Sequence, residues 1–215
     1  MVKKKMKKII LYTMMFIVLI IAIQKSNMNQ HVNTSFAFSQ PKREQVIQKE
    51  HKARQVKVPS EGYRWPTKNV LIKIEAQSPE AREAFQDAIV QWNKTGVINF
   101  QETNDQNDAQ IIANEKNLSS GDSNDGIIQT EQLGVTDNEY DPSTMILQKS
   151  TSSLDIQELR SYSRKYRMWV AEHELGHAIG LDHARQDSDS VMVPENPKTG
   201  ITVNDINAVK RIYGN

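Results

Sequence analysis

Five residues between positions 173 and 183 have types and spacing suited to metal-assisted hydrolysis: His173, Glu174, His177, Gly180 and His183. Imidazoles at 173 and 177 stand one helical turn apart on the same face, so both can offer a nitrogen to a single ion. Glu174 lies about 100° further around such a helix, where a carboxylate reaches a water at the metal instead of joining the ligands. Gly180 can take the left-handed conformation that ends a helix and turns the chain, and His183 then swings back as the third ligand. Three neutral imidazoles leave one exchangeable position, the arrangement of a catalytic rather than a structural zinc site. Bound Zn2+ acidifies water to a pKa of about 7 and polarises a carbonyl. Glu174 is the candidate general base, taking the water proton and returning it to a leaving amine. Peptide-bond hydrolysis is the natural reaction.

Composition sharpens this reading. The chain has five histidines, and the three that follow residue 61 all lie in the motif. Singly, each would be read as a surface or core histidine; together, spaced for one ion, they read as a metal site. Cysteine is absent, so there is no disulfide and no thiolate ligand, and any metal must be held by His, Asp or Glu. Residues 1–60 hold 12 Lys/Arg against 2 Asp/Glu, and residues 61–215 hold 15 against 24. The acidic second part is a poor partner for nucleic acid.

The basic excess begins at the amino terminus. Lys3, Lys4, Lys5, Lys7 and Lys8 precede an apolar run from Ile9 to Ile23 that only Thr13 interrupts. A helix of that length spans about 22 Å, short for a hydrocarbon core of about 30 Å, so residues 1–24 read as a secretory signal peptide or an uncleaved signal anchor. Ala37-Phe38-Ser39 is the best small-x-small pair for cleavage. Either form sends the rest of the chain across the membrane. Residues 25–60 read as a basic linker or short pro-segment, and 61–215 as one catalytic domain.

The elements that must position the motif follow from pattern. Val70 to Ile74 is a β-branched and apolar run, and Ser78-Pro79-Glu80 supplies a cap, a proline and an acid to open a helix. Ala81, Ala84, Phe85, Ala88, Ile89 and Trp92 fall at helical spacing before Gly96. Val97 to Glu102, Ala109 to Ala113, Gly126 to Thr130 and Thr144 to Gln148 read as strands. A helix between the first two strands implies a βαβ start to a mixed sheet. Further helices are expected over Arg160 to Ile179 and Val203 to Tyr213, the last with Thr202 as cap, Asp205 in its first turn and Gly214 beyond its end.

The motif resembles the signature HExxHxxGxxH of the metzincin metallopeptidases, matched at His173, Glu174, His177, Gly180 and His183. Ser190-Val191-Met192-Val193-Pro194 is similar to that family's methionine turn. Asn204 to Gly214 and Arg64-Trp65-Pro66 are similar to the last helix and the entry strand of its matrixin branch. The resemblance, over Tyr63 to Asn215, implies an α+β fold with a twisted five-stranded sheet, about three helices and a Met-turn after the active-site helix. It also implies one Zn2+, an endopeptidase acting on peptides or proteins, a monomer, and a cleft along an edge strand near Gly126 to Thr130 where substrate adds as a strand. Gly180 and Met192 would support the site. Two departures from matrixins are Ala184, where Ser or Thr is common, and Val193, where Tyr is usual. The absence of cysteine excludes latency by a propeptide thiolate, and no histidine remains for a second, structural zinc site.

Other features are weaker. Asp122-Ser123-Asn124-Asp125-Gly126 places oxygen ligands at alternate positions and reads as a polar loop, with Ca2+ as the alternative, because Leu133 stands where an EF-hand needs Glu. Asp182 is expected to face solvent, with orienting a ligand histidine as the alternative, and Arg164-Lys165-Tyr166-Arg167 to form the outer face of the active-site helix. The competing function is a zinc-binding adhesion or sensing module of the same fold. Glu174 argues against it, since a pure binder has no need of a base there.

Overall fold

The computed structural model describes residues 57–118, 133–194 and 198–214, together with the backbone of Leu11–Tyr12. The elements in chain order are β1 (Leu11–Tyr12), β2 (Asn69–Ile74), α1 (Pro79–Lys94), β3 (Asn99–Glu102), β4 (Ile111–Glu115), β5 (Gly134–Asp141), β6 (Ile146–Leu154), α2 (Ile156–Leu159), α3 (Arg164–Ala178) and α4 (Val203–Tyr213). Five strands, in the order β5-β6-β4-β2-β3, make the mixed sheet, and the two-residue β1 pairs antiparallel with β5 at Asp137 and Asn138. β2, β3, β4 and β6 run parallel, and β5 alone among the five is antiparallel to its neighbour. The expected mixed fold is therefore observed, with α2 as a fourth, one-turn helix. Among the described residues no helix is long and apolar enough to cross a membrane.

α1 forms where the caps and the apolar spacing place it. Ser78 accepts from Ala81 N, Pro79 opens the helix, and Thr95 with the left-handed Gly96 closes it. Its six periodic apolar residues are all buried, and Phe85 and Ile89 each contribute roughly 2 to 3 kcal/mol by leaving water. That face packs on α3, which in turn covers β5 and β6.

α3 is consequently enclosed, with every residue from Val170 to Ala178 buried. Two tryptophans brace its middle and its end: Trp92 Nε1 donates to Glu172 O at 3.0 Å, and Trp65 Nε1 donates to Ala178 O at 2.8 Å. The helix starts later than its sequence suggests because two caps compete. Asp155 accepts from Gln157 N and Glu158 N and opens the one-turn α2, which ends at Leu159, and Ser163 then caps α3 through Tyr166 N.

One expectation lies outside the described residues and another needs correction. The strand expected at Gly126 to Thr130 and the oxygen-rich stretch 122–126 are the first; among the five described strands the antiparallel one is Gly134–Asp141. The run Arg164 to Arg167 is not simply an outer face. Arg164 pairs with Asp87 at 2.7 Å and Glu83 at 2.7 Å on α1, and Arg167 is nearly buried, donating from Nη1 to Tyr162 O at 2.6 Å.

Candidate metal centre

His173, His177 and His183 come together, their ligand nitrogens all within 4.8 Å of one another. The first two ride on α3. The third arrives because Gly180, at φ +92°, turns the chain back after Ile179, and a Cβ at 180 would collide with the backbone oxygen of Tyr63.

Ring orientation is set by backbone carbonyls. His173 Nδ1 lies 2.8 Å from Val191 O and His177 Nδ1 lies 3.0 Å from Leu181 O. A carbonyl oxygen only accepts, so both Nδ1 atoms carry the hydrogen and both Nε2 lone pairs turn inward. Those two Nε2 atoms are 3.1 Å apart, a repulsive contact unless a cation or a proton joins them. A proton is disfavoured: burial, then the neighbouring imidazole of His183, holds His173 down at about 3, and burial also keeps His177 well below the ordinary histidine range. Nε2 of His183 is buried without a hydrogen-bond partner. Burial holds all three imidazoles below the ordinary histidine range, and neutral imidazoles with an unsatisfied ring nitrogen among them fit a divalent metal.

Glu174 is 2% exposed and lies against β5. Its Oε2 accepts from Thr136 Oγ1 at 2.7 Å, its backbone oxygen accepts from the same hydroxyl at 3.0 Å, and a side chain at Gly134 would collide with the carboxylate. Burial pushes it up to about 8, the Thr136 hydrogen bond opposes this, and nearby Asp137 adds to it. Burial likewise pushes Glu172 up to about 8 and, with help from Asp182, Glu61 up to about 7.

Met192, fully buried, packs beneath α3, where a Cβ at Gly176 would strike its sulfur. The turn that carries it hangs on Asp205, whose carboxylate accepts from Ser190 Oγ, from Val191 N at 3.1 Å and from Thr202 N at 2.8 Å. Because Val191 O orients His173, Asp205 acts on the centre through that turn. Asp205→Ala should cost about 3 kcal/mol by stranding buried donors and lower the thermal midpoint by about 6 to 12 °C; a shift under about 2 °C in thermal unfolding would remove Asp205 from this role. Asp182, expected in solvent, is half-buried and accepts from His183 N at 2.6 Å.

Thr136, Gly134 and Asn138 are missed by sequence reasoning. Asn138 Nδ2 donates to His177 O at 3.2 Å and to Tyr63 Oη at 2.9 Å. Their one local signal is an alternation of small and polar residues along 134–138, which ordinary strand patterns do not flag.

A mixed sheet bearing a three-histidine cluster, two of its members buried and the third half-buried, with a glutamate beside the first histidine, is the arrangement of the metzincin class. The chain belongs to the matrixin family, whose model matches residues 64–214. It is similar to two proteins of Arabidopsis thaliana. Metalloendoproteinase 1-MMP is 28% identical over 145 residues, covering 64% of this chain and 39% of that protein. Metalloendoproteinase 4-MMP is 28% identical over 142 residues, covering 63% and 40%. The chain thus spans about two fifths of the length of these relatives. Family membership implies zinc, and among the described residues His173, His177 and His183 form a group that could hold a metal ion.

Proposed function

We propose that this protein is an extracytoplasmic zinc endopeptidase in which His173, His177 and His183 hold the metal and Glu174 is the general base. The observation that carries the proposal is the convergence of three imidazoles, two on α3 and the third brought back by the turn at Gly180, with the buried carboxyl of Glu174 beside the first. Zinc, when bound, supplies a Lewis acid and a water acidified to a pKa of about 7. Glu174 Oε accepts the proton of the attacking water and delivers it to the leaving amine nitrogen. Thr136 keeps the carboxylate in place throughout.

Substrate enters as an extended segment along the outer edge of β5. An antiparallel partner suits that edge, since β1 pairs there at Asp137 and Asn138, and main-chain hydrogen bonds supply affinity without fixing sequence. The basic n-region and apolar run of residues 3–23 support export. In the exported form that segment sits in the membrane or has been cleaved away, which opens the β5 edge to substrate.

The test is digestion of a mixed peptide library by the purified protein, with and without a chelator. Internal cleavage that stops on chelation and returns with zinc is the expected result. Zinc-loaded, folded protein that cuts nothing across the library would refute the assignment.

A further inference from the structure

Residues 58–63 precede the stretch matched by the family model, yet they pair with the loop that delivers the third histidine. Ser60 and Leu181 form an antiparallel bridge, in which Glu61 N donates to Gly180 O at 3.0 Å and Asp182 N donates to Pro59 O at 3.2 Å. Both ends of this strap are fixed. Val58 is buried, and its carbonyl accepts from Arg211 Nη2 of α4 at 2.8 Å; Tyr63 is buried and accepts from Asn138. Between them Glu61 turns its side chain inward. The carboxylate is 12% exposed, and Oε1 lies 3.8 Å from His177 Nδ1. Since Nδ1 bears the hydrogen that goes to Leu181 O, Glu61 faces the side of the ring opposite Nε2. The other nearby carboxylate, Asp182, accepts instead from His183 N.

Leu181 O takes the Nδ1 hydrogen of His177, so the Glu61 carboxylate acts by its charge: held 3.8 Å behind the ring, it raises the basicity of the far nitrogen. Loss of an outer partner of this kind is expected at the lower end of the roughly 10- to 100-fold range in metal affinity. We propose that Glu61 is a positioning residue of the metal centre, carried to the back of His177 by a strap that also holds the loop of His183. The inference rests on reading the three histidines as a zinc site, and not on proteolysis.

The experiment is zinc affinity of the full chain, measured by competition with a chromophoric chelator at mildly alkaline pH, for wild type, Glu61→Gln and Glu61→Asp. Thermal unfolding of each metal-free form is followed alongside. Glu61→Gln should bind zinc about 10-fold more weakly with an unchanged metal-free midpoint, and Glu61→Asp should recover part of the loss. Affinity within about twofold of wild type, a loss matched by a lowered metal-free midpoint, or no recovery in the Asp variant would overturn the assignment. If the Gln variant does not fold, Glu61→Asp decides: weaker binding with an intact midpoint supports it, unchanged affinity overturns it. Wild type that binds no zinc refutes both this inference and the metal centre; wild type that binds zinc but cleaves nothing refutes only the peptidase activity.

Discussion

Glu174→Gln should retain its zinc and lose about 10²- to 10⁴-fold in kcat/KM, the range that a positioned general base contributes. The amide is the informative replacement because it preserves the local contacts. Thr136 Oγ1 donates to the Glu174 carboxylate at 2.7 Å, and the amide oxygen of Gln can accept the same hydrogen bond. Volume over Gly134 also stays nearly the same, where the carboxylate fits only because residue 134 lacks a side chain. What the variant lacks is a lone pair basic enough to take the water proton. The three imidazoles are oriented by Val191 O, Leu181 O and the backbone turn, not by Glu174, so metal content should be unchanged. Activity and bound zinc measured on one preparation decide the matter. Near wild-type turnover in the loaded variant would show that another group moves the proton, whereas loss of zinc would make Glu174 part of the metal site itself.

The residues proposed to carry this chemistry were legible because they lie on one short stretch with its own geometry. His173, Glu174 and His177 need only the pitch of a helix, and Gly180 announces a left-handed turn. α4 was legible to the residue, since Thr202 and Asp205 form a reciprocal capping box and Gly214 stops the helix. What escaped is everything that supports the motif from elsewhere in the chain. β5 turns Gly134, Thr136 and Asn138 inward, polar and small where an apolar stripe would mark a strand, because their partners are the polar groups of α3 and not a hydrocarbon core. Thr136 finds Glu174, and Asn138 finds His177 O and Tyr63. Such complementarity exists only after folding. Ser150 and Ser152 disguise β6 in the same way, and both are buried. The strap at 58–63 escaped for a related reason: its value lies in pairing with residues 180–182, more than a hundred positions away.

Gly180→Ala is the substitution expected to damage the centre most through structure alone. Two costs coincide at this position. The backbone stands at φ +92°, where an L side chain is strained, and the added Cβ would meet Tyr63 O. That oxygen has little room to retreat: Tyr63 is buried, and its neighbour Arg64 donates from N to Met145 O at 3.1 Å and accepts from Leu147 N at 2.9 Å. Strain and collision together should cost about 3 kcal/mol, or about 6 to 12 °C in thermal midpoint. Relief can come only by moving the 180–182 loop away from the strap, which displaces His183, so zinc affinity should fall as well. Gly96→Ala is the internal control. Gly96 also has a left-handed φ, +70°, but nothing lies within 4 Å of its would-be Cβ, so it bears the conformational cost of about 1 to 2 kcal/mol alone and leaves metal binding untouched. Equal midpoint shifts for the two variants, with zinc affinity preserved in both, would mean that the contact between strap and loop does not hold the third ligand. A larger shift at 180 accompanied by weaker zinc binding is the result the close packing of Gly180 on Tyr63 requires.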